Sequence, residues 1–154
     1  MLTTDRHPPS LSDQCAAQIM HVIPWVTRFL RSEIRYHGQP LSLSQLRVLS
    51  YLERNPQSSL SSVAEYLDVT RPTMSAMIDR LVQRGLVDRA EDPQERRRLL
   101  LCLTSEGMQQ FQQVTAATCA RVADQLAQLT DPQLEQLAQG LSLLGEAFQD
   151  AQTL

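Results

Sequence analysis

Two clusters in this chain have residue types and spacing suited to contact with a polyanion. The first is Arg96, Arg97 and Arg98, three consecutive arginines that follow Asp92-Pro93-Gln94-Glu95. Guanidinium groups make bidentate hydrogen bonds to phosphate and to the edge of guanine. Short apolar runs, Leu86 with Val87 and Leu99–Leu103, flank the Asp-Pro turn, so the segment reads as a β-hairpin tipped with arginine. Side chains alternate along a strand, which sends Arg96 and Arg98 one way and Arg97 the other. One face would reach a minor groove, where arginine senses width and negative potential; the other would pair with Asp92 or Glu95. The second cluster is Thr70-Arg71-Pro72-Thr73-Met74-Ser75-Ala76. These are small donors and acceptors at a helix start, light enough to enter a major groove about 12 Å wide with the helix dipole toward phosphate.

The elements that must position these clusters are legible from caps and periodicity. Ser59 caps a short helix with Leu60, Val63, Ala64 and Leu67 inward, and Asp68-Val69-Thr70 is the break after it. Ala64 stands where two helices must approach closely. Asp68 occupies a tight-turn position and tolerates left-handed geometry better than most residues. Thr70 caps the next helix, and Pro72 fits because first-turn amides have no intrahelical acceptor. Met74, Met77, Ile78 and Leu81 line its inner face, and Gly85 stops it. Residues 59–85 therefore have the form of a helix-turn-helix followed by a wing. Taken singly, each part has a plainer reading: a helical hairpin with a solvated face, or an edge strand protected by charge. Together they favour nucleic acid.

The rest of the chain reads as helix. Ser10 opens a segment with Leu11, Cys15, Ile19, Val22, Val26 and Phe29 on one face, ending near residues 37–38, and Pro24 is expected to kink or break it. Ser42-x-x-Gln45 is a capping box that launches a helix through Leu46, Leu49 and Leu52, closed by Asn55-Pro56. Beyond the hairpin, Thr104 or Ser105 starts a long helix, and Thr130-Asp131-Pro132 ends it and caps the last one. There Leu134, Leu137, Leu141, Leu144 and Phe148 follow a 3-4-3-4 spacing, a narrow seam that implies packing on another helix. The expected fold class is mainly α. A winged helix-turn-helix domain spans 41–103, a dimerisation helix precedes it at 10–38, C-terminal dimerisation helices follow at 104–150, and 1–9 form a flexible tail.

Charge is distributed unevenly over the 154 residues. Residues 1–98 hold 13 arginines against 11 acids, a balance of +2, while 99–154 hold one against six, a balance of −5. There is no lysine. The asymmetry puts an anionic partner on the first two-thirds despite a net charge of −3. No apolar run is long enough to span a membrane, and the N-terminus lacks a signal-peptide core. Three widely spaced cysteines, Cys15, Cys102 and Cys119, suggest reduced thiols in the cytoplasm. No nucleophile motif, phosphate loop or metal-ligand spacing appears; His7, His21 and His37 are scattered. The expectation is therefore no enzyme, no cofactor and no metal.

With these motifs in view, residues 41–107 resemble the multiple-antibiotic-resistance regulator (MarR) family. The resemblance rests on Leu-Arg-Val-Leu (46–49), Val-Ala-Glu-Tyr-Leu (63–67), Thr-Arg-Pro-Thr (70–73) and Asp-Arg-Leu-Val-Gln-Arg-Gly-Leu-Val (79–87). Asp-Pro-x-Glu-Arg-Arg (92–97) and Leu-x-Leu-Thr-x-Glu-Gly (101–107) complete it. It implies a homodimer held by the first and last two helices, with Leu11 and the 134–148 seam at the interface. It also implies a repressor of pseudo-palindromic duplex DNA, released by a small molecule or by oxidation. Thr70, Pro72, Thr73, Ser75 and Ala76 would face the major groove, Arg71 and Arg80 the backbone or flanking bases, and Arg96, Arg97 and Arg98 the minor groove. Glu95 stands where the family usually has aspartate, which lengthens an ion pair within the wing. Ala76 replaces an arginine that some relatives use to read a base.

The family's effector pocket lies between the dimer helices and the DNA-binding lobe. His21, Trp25, Arg28 and Arg47 could line it, and an aromatic wall beside a cation suits a small aromatic or anionic effector. The plainer reading, favoured by the sequence, makes Trp25 a core or dimer-interface anchor and leaves the arginines solvated or paired. Cys15 resembles the cysteine of the peroxide-sensing branch but has no nearby tyrosine in sequence, which leaves a redox-sensing regulator as an alternative. A winged helix used purely for protein contact is another.

Overall fold

The computed structural model describes residues 9–36, 41–94 and 99–149. In chain order these form α1 (Leu11–Tyr36), α2 (Leu43–Arg54), β1 (Ser58–Ser59), α3 (Leu60–Leu67), α4 (Arg71–Gln83), β2 (Val87–Glu91), β3 (Leu99–Leu103), α5 (Ser105–Leu126) and α6 (Asp131–Gln149). Six helices and a hairpin stand where the sequence puts them. By contacts the chain divides into two compact units, Met1–Thr115 and Ala116–Leu154.

In the first unit the helix starts are built by the expected side chains. The Ser42 hydroxyl accepts from the Gln45 amide at 3.2 Å, and the Gln45 side chain returns to the Ser42 amide at 2.9 Å. Ser59 accepts from the Ser62 amide at 3.1 Å and Thr70 from Thr73 at 3.4 Å. Each satisfies a first-turn amide that has no intrahelical acceptor. Between α3 and α4, Asp68 takes φ 54°, ψ 51°, the left-handed geometry the turn demands. At the other end of α4, Gly85 takes φ 70°, so the amides of Gly85 and Leu86 return to the Val82 and Leu81 carbonyls, both at 2.9 Å. This double closure is a Schellman cap, and Leu81 and Leu86, both fully buried, supply its apolar contact.

The core packs α2, α3 and α4 around Val48, Leu49, Val63, Met74, Ile78 and Leu81, all at 0% exposure. Ala64 is buried with them, as close helix approach requires. The sheet is antiparallel with order β1-β3-β2, one strand more than the sequence suggests. Ser58 and Ser59 add to β3 opposite Leu101 and Leu100. Two residues give no periodic signal, and Ser59 is at once strand and cap. β3 takes the centre, pairing with β1 on one edge and β2 on the other. β2 runs on through Asp88–Ala90 to Glu91, past its apolar start, because ladder bonds to β3 use backbone and not side chains.

At Pro24 the expected break does not occur. α1 continues through it as a single 26-residue helix. Proline removes one amide, and the carbonyl that loses its donor is that of Met20. The α1 start is a Ser10–Asp13 box: Ser10 donates its amide (2.9 Å) and hydroxyl (2.7 Å) to the Asp13 carboxylate. These bonds, the hydroxyl foremost, hold the carboxyl below its ordinary 3.8. Among the described residues of α1 only Ile34 is buried; Leu11 (76%), Trp25 (61%) and Val26 stand in solvent.

The second unit holds the end of α5 and α6. The Thr130 amide and hydroxyl both reach the Gln133 side chain, closing the start of α6. Along the seam Leu134, Leu137 and Leu144 are half-buried, while Leu141 and Phe148 are mostly exposed.

Candidate nucleic-acid interface

The first turns of α4 carry the second cluster. Thr70, Arg71, Pro72, Thr73, Ala76 and Arg80 are exposed and Ser75 half-buried, while Met74 and Ile78 on the opposite side are sealed in the core. A 3.6-residue period divides them: one face is consumed by packing, and the other presents small polar groups around a positive helix end. The hydroxyls of Thr70 and Thr73 lie 2.9 Å apart and hydrogen-bond to each other, so capping and display share the same atoms.

The hairpin is attached to α4 by contacts that the sequence does not reveal. Arg89 on β2 forms an ion pair with Asp79 on α4. With side chains 31% and 48% exposed, such a pair contributes about 0–1 kcal/mol to stability. Register gave no warning, since Arg89 lies opposite buried Leu101 on the core side of the sheet. At the base, the Thr104 hydroxyl donates to the Gly85 carbonyl (2.6 Å) and accepts from the Gly107 amide (2.9 Å). The Thr104 amide also bonds to the Leu86 carbonyl at 3.2 Å. Thr104 thus caps α5 and ties its start to the end of α4. A Cβ on Gly107 would sit 2.0 Å from the Leu86 oxygen, which gives the glycine at the end of the 101–107 motif its physical reason.

At the hairpin turn, Asp92 accepts from the Gln94 amide at 2.8 Å, so its carboxylate serves the turn. Glu95, Arg96, Arg97 and Arg98 lie outside the described residues, as does any pairing of Asp92 with them.

The four residues expected to line an effector pocket do not converge in the described contacts. His21 and Trp25 meet edge to face at 4.3 Å between centroids. Arg28 lines an open cleft of about 490 Å³ with Ile23, Pro24, Thr27, Arg31 and Arg35. Arg47 instead lies over the Tyr66 ring at 5.8 Å, where Arg54 also reaches the Tyr66 hydroxyl and Tyr51 packs at 4.7 Å. Arg31 and Arg35 also line a second cleft of about 320 Å³ with Ile34 and Ser42–Ser44. Sequence reading missed both arginines, although 28, 31 and 35 share one helix face. Cys15 and Cys119 are exposed and Cys102 half-buried. Among the described residues no group could hold a metal ion, and no helix is long and apolar enough to cross a membrane.

A helix-turn-helix with a polar reading face, a hairpin on its flank and long helices on either side define a winged-helix protein. Known proteins agree. The model of the MarR family matches residues 39–98. The HTH-type transcriptional repressor MdtR of Bacillus subtilis (strain 168) is 33% identical over 109 residues, covering 71% of this chain and 70% of that protein. The crystal structure of RV1404 from Mycobacterium tuberculosis superposes with a TM-score of 0.79 at 25% identity, over 91% of this chain and 95% of that one. The apo form of wild-type MarR from E. coli has the same fold, with a TM-score of 0.73 at 21% identity over 83% and 95% of the two chains. The chain belongs to the MarR family. It is a DNA-binding transcriptional regulator and not an enzyme.

Proposed function

We propose that the chain acts in the cytoplasm as a homodimeric repressor that binds pseudo-palindromic duplex DNA and leaves it when a small aromatic or anionic effector binds. The observation that carries this reading is the first turn of α4, where Thr70, Arg71, Pro72, Thr73 and Ala76 stand exposed on a helix whose other face is sealed. In this reading residues 41–103 bind DNA, and 10–38 with 104–150 make the dimer. Thr70, Pro72, Thr73, Ser75 and Ala76 face the major groove. Arg71 and Arg80 hold the backbone or flanking bases, and Arg96, Arg97 and Arg98 enter the minor groove. Leu11, Leu134, Leu137, Leu141, Leu144 and Phe148 belong to the dimer, which would cover apolar surface that one copy leaves in water. Two names among its relatives, MdtR and IacR of Pseudomonas putida, carry the word repressor, which favours repression over activation. His21, Trp25, Arg28 and Arg47, with the clefts lined by Arg31 and Arg35, are the effector residues.

Selection of bound fragments from the source genome tests this directly. The expected product is a set of inverted repeats with half-sites about one helical turn, 34–36 Å, apart. On such a fragment, Arg96→Ala with Arg97→Ala should weaken binding to all sequences and flatten the salt slope by about 0.9 per lost phosphate contact. Selection of no duplex above background overturns the reading.

A further inference from the structure

The hairpin's inner face, read outward from its base, is Val87, then Arg89, then Glu91, opposite Leu103, Leu101 and Leu99. Val87 and Leu101 are sealed in the core, whereas Glu91 and Leu99 are exposed. The hairpin is thus held by packing at its base. Halfway along, the described contact with α4 is the Asp79–Arg89 ion pair. Asp79 sits on α4 beside Arg80 and about two and a half turns beyond Thr70, so the pair joins the helix bearing the polar reading face to the strand that leads to the arginine tip. A pair this exposed adds little to folding, yet it ties β2 to α4 beyond the packed base.

We propose that Asp79 and Arg89 are positioning residues for DNA binding: their ion pair sets the hairpin at the angle to α4 at which both engage one duplex. The inference rests on the DNA-binding reading above, and its mechanism is pre-organisation. A hairpin already at the right angle loses less freedom on binding than one that must be ordered by the DNA. The carboxylate is also what makes the proposal sharp. An acid close to a polyanion repels it, so simple electrostatics predicts that its removal tightens binding. Positioning predicts the opposite sign.

The experiment measures full-length protein on an operator duplex obtained by genomic selection, with Asp79→Asn, Asp79→Glu and Arg89→Met beside wild type. Asp79→Asn is expected to weaken binding by up to about fivefold, the most that a pair this exposed can contribute, although it removes a negative charge. The slope of log K against log salt should change little, because the bound hairpin still makes the same phosphate contacts. Asp79→Glu should recover most of the affinity, and Arg89→Met should match Asp79→Asn, with melting temperatures close to wild type in all three. Equal or tighter binding by Asp79→Asn overturns the proposal, as does Asp79→Glu behaving like Asp79→Asn. So does a weakening accompanied by a large fall in melting temperature, which would make the pair a folding contact. Failure of wild type itself to bind any duplex refutes the regulator's DNA reading instead, and so separates the two.

Discussion

The segment from α2 to the start of α5 and the two outer helices, α1 and α6, obey the same helix rules but meet opposite fates in the single chain. In the first, every apolar stripe finds a neighbour: Val48, Val63, Met74, Leu81, Leu86 and Val87 are at 0% exposure. In the second, equally regular stripes stay wet, with Leu11 at 76%, Val22 at 45%, Val26 at 46% and Leu141 at 57%. The caps are sound in both. What differs is the supply of apolar surface to pack against, which the winged lobe holds internally and the outer helices lack. Periodicity alone therefore says that a helix has a face to bury, not that its own chain will bury it.

This contrast can be broken at several points. The largest effect is expected from Leu141→Asp in the α6 seam. A buried interfacial charge should yield a monomer by light scattering, and loss of joined half-sites should weaken operator binding about 100-fold or more. Retention of the dimer mass would show that the exposed seam is not the interface. Within the lobe, Gly107→Ala forces a Cβ against the Leu86 carbonyl and should cost roughly 3 kcal/mol or more, read as a lowered melting temperature. An unchanged melt would mean that the α4–α5 junction is slack. Thr70→Ala removes one cap and should cost about 1 kcal/mol in urea unfolding; it should also weaken DNA binding, because the same hydroxyl lies on the reading face.

The smallest effect belongs to Asp13. Its carboxyl is held below 3.8 by Ser10. A depressed folded value contributes stability that is complete above the ordinary 3.8 and lost as the pH falls through the folded value. The first turn of α1 should fray only in that acid range, as followed by amide exchange. Asp13→Asn should remove that pH dependence, and fraying already present near neutral pH would contradict the cap.

Most of the fold was legible because its signals are local. Ser42, Ser59 and Thr70 act on amides three residues away, and Asp68 and Gly85 set their own φ, so a short window contains the cause and the effect. The exposed face of α4 followed from the same reasoning, since identifying the buried period identifies its complement. What escaped was paired across distance. Ser58 and Ser59 become strand only because β3 is there to bond them. β2 runs through charged residues because Leu99–Leu103 offers a ladder. Pro24 sits inside an unbroken α1, against its local signal. Arg47 lies over the ring of Tyr66, nineteen residues further along the chain and outside any short window.

By itself the sequence determined the helices, their caps, the helix-turn-helix and the family, all of which depend on neighbours a few residues apart. Only the tertiary structure decided how the reading helix is braced: by Arg89 reaching Asp79, ten residues back along the chain, and by Thr104 joining Gly85 to Gly107 across the hairpin. The physical reason is that a cap needs one short stretch of chain, whereas a brace needs two elements already brought together by the burial of the core between them.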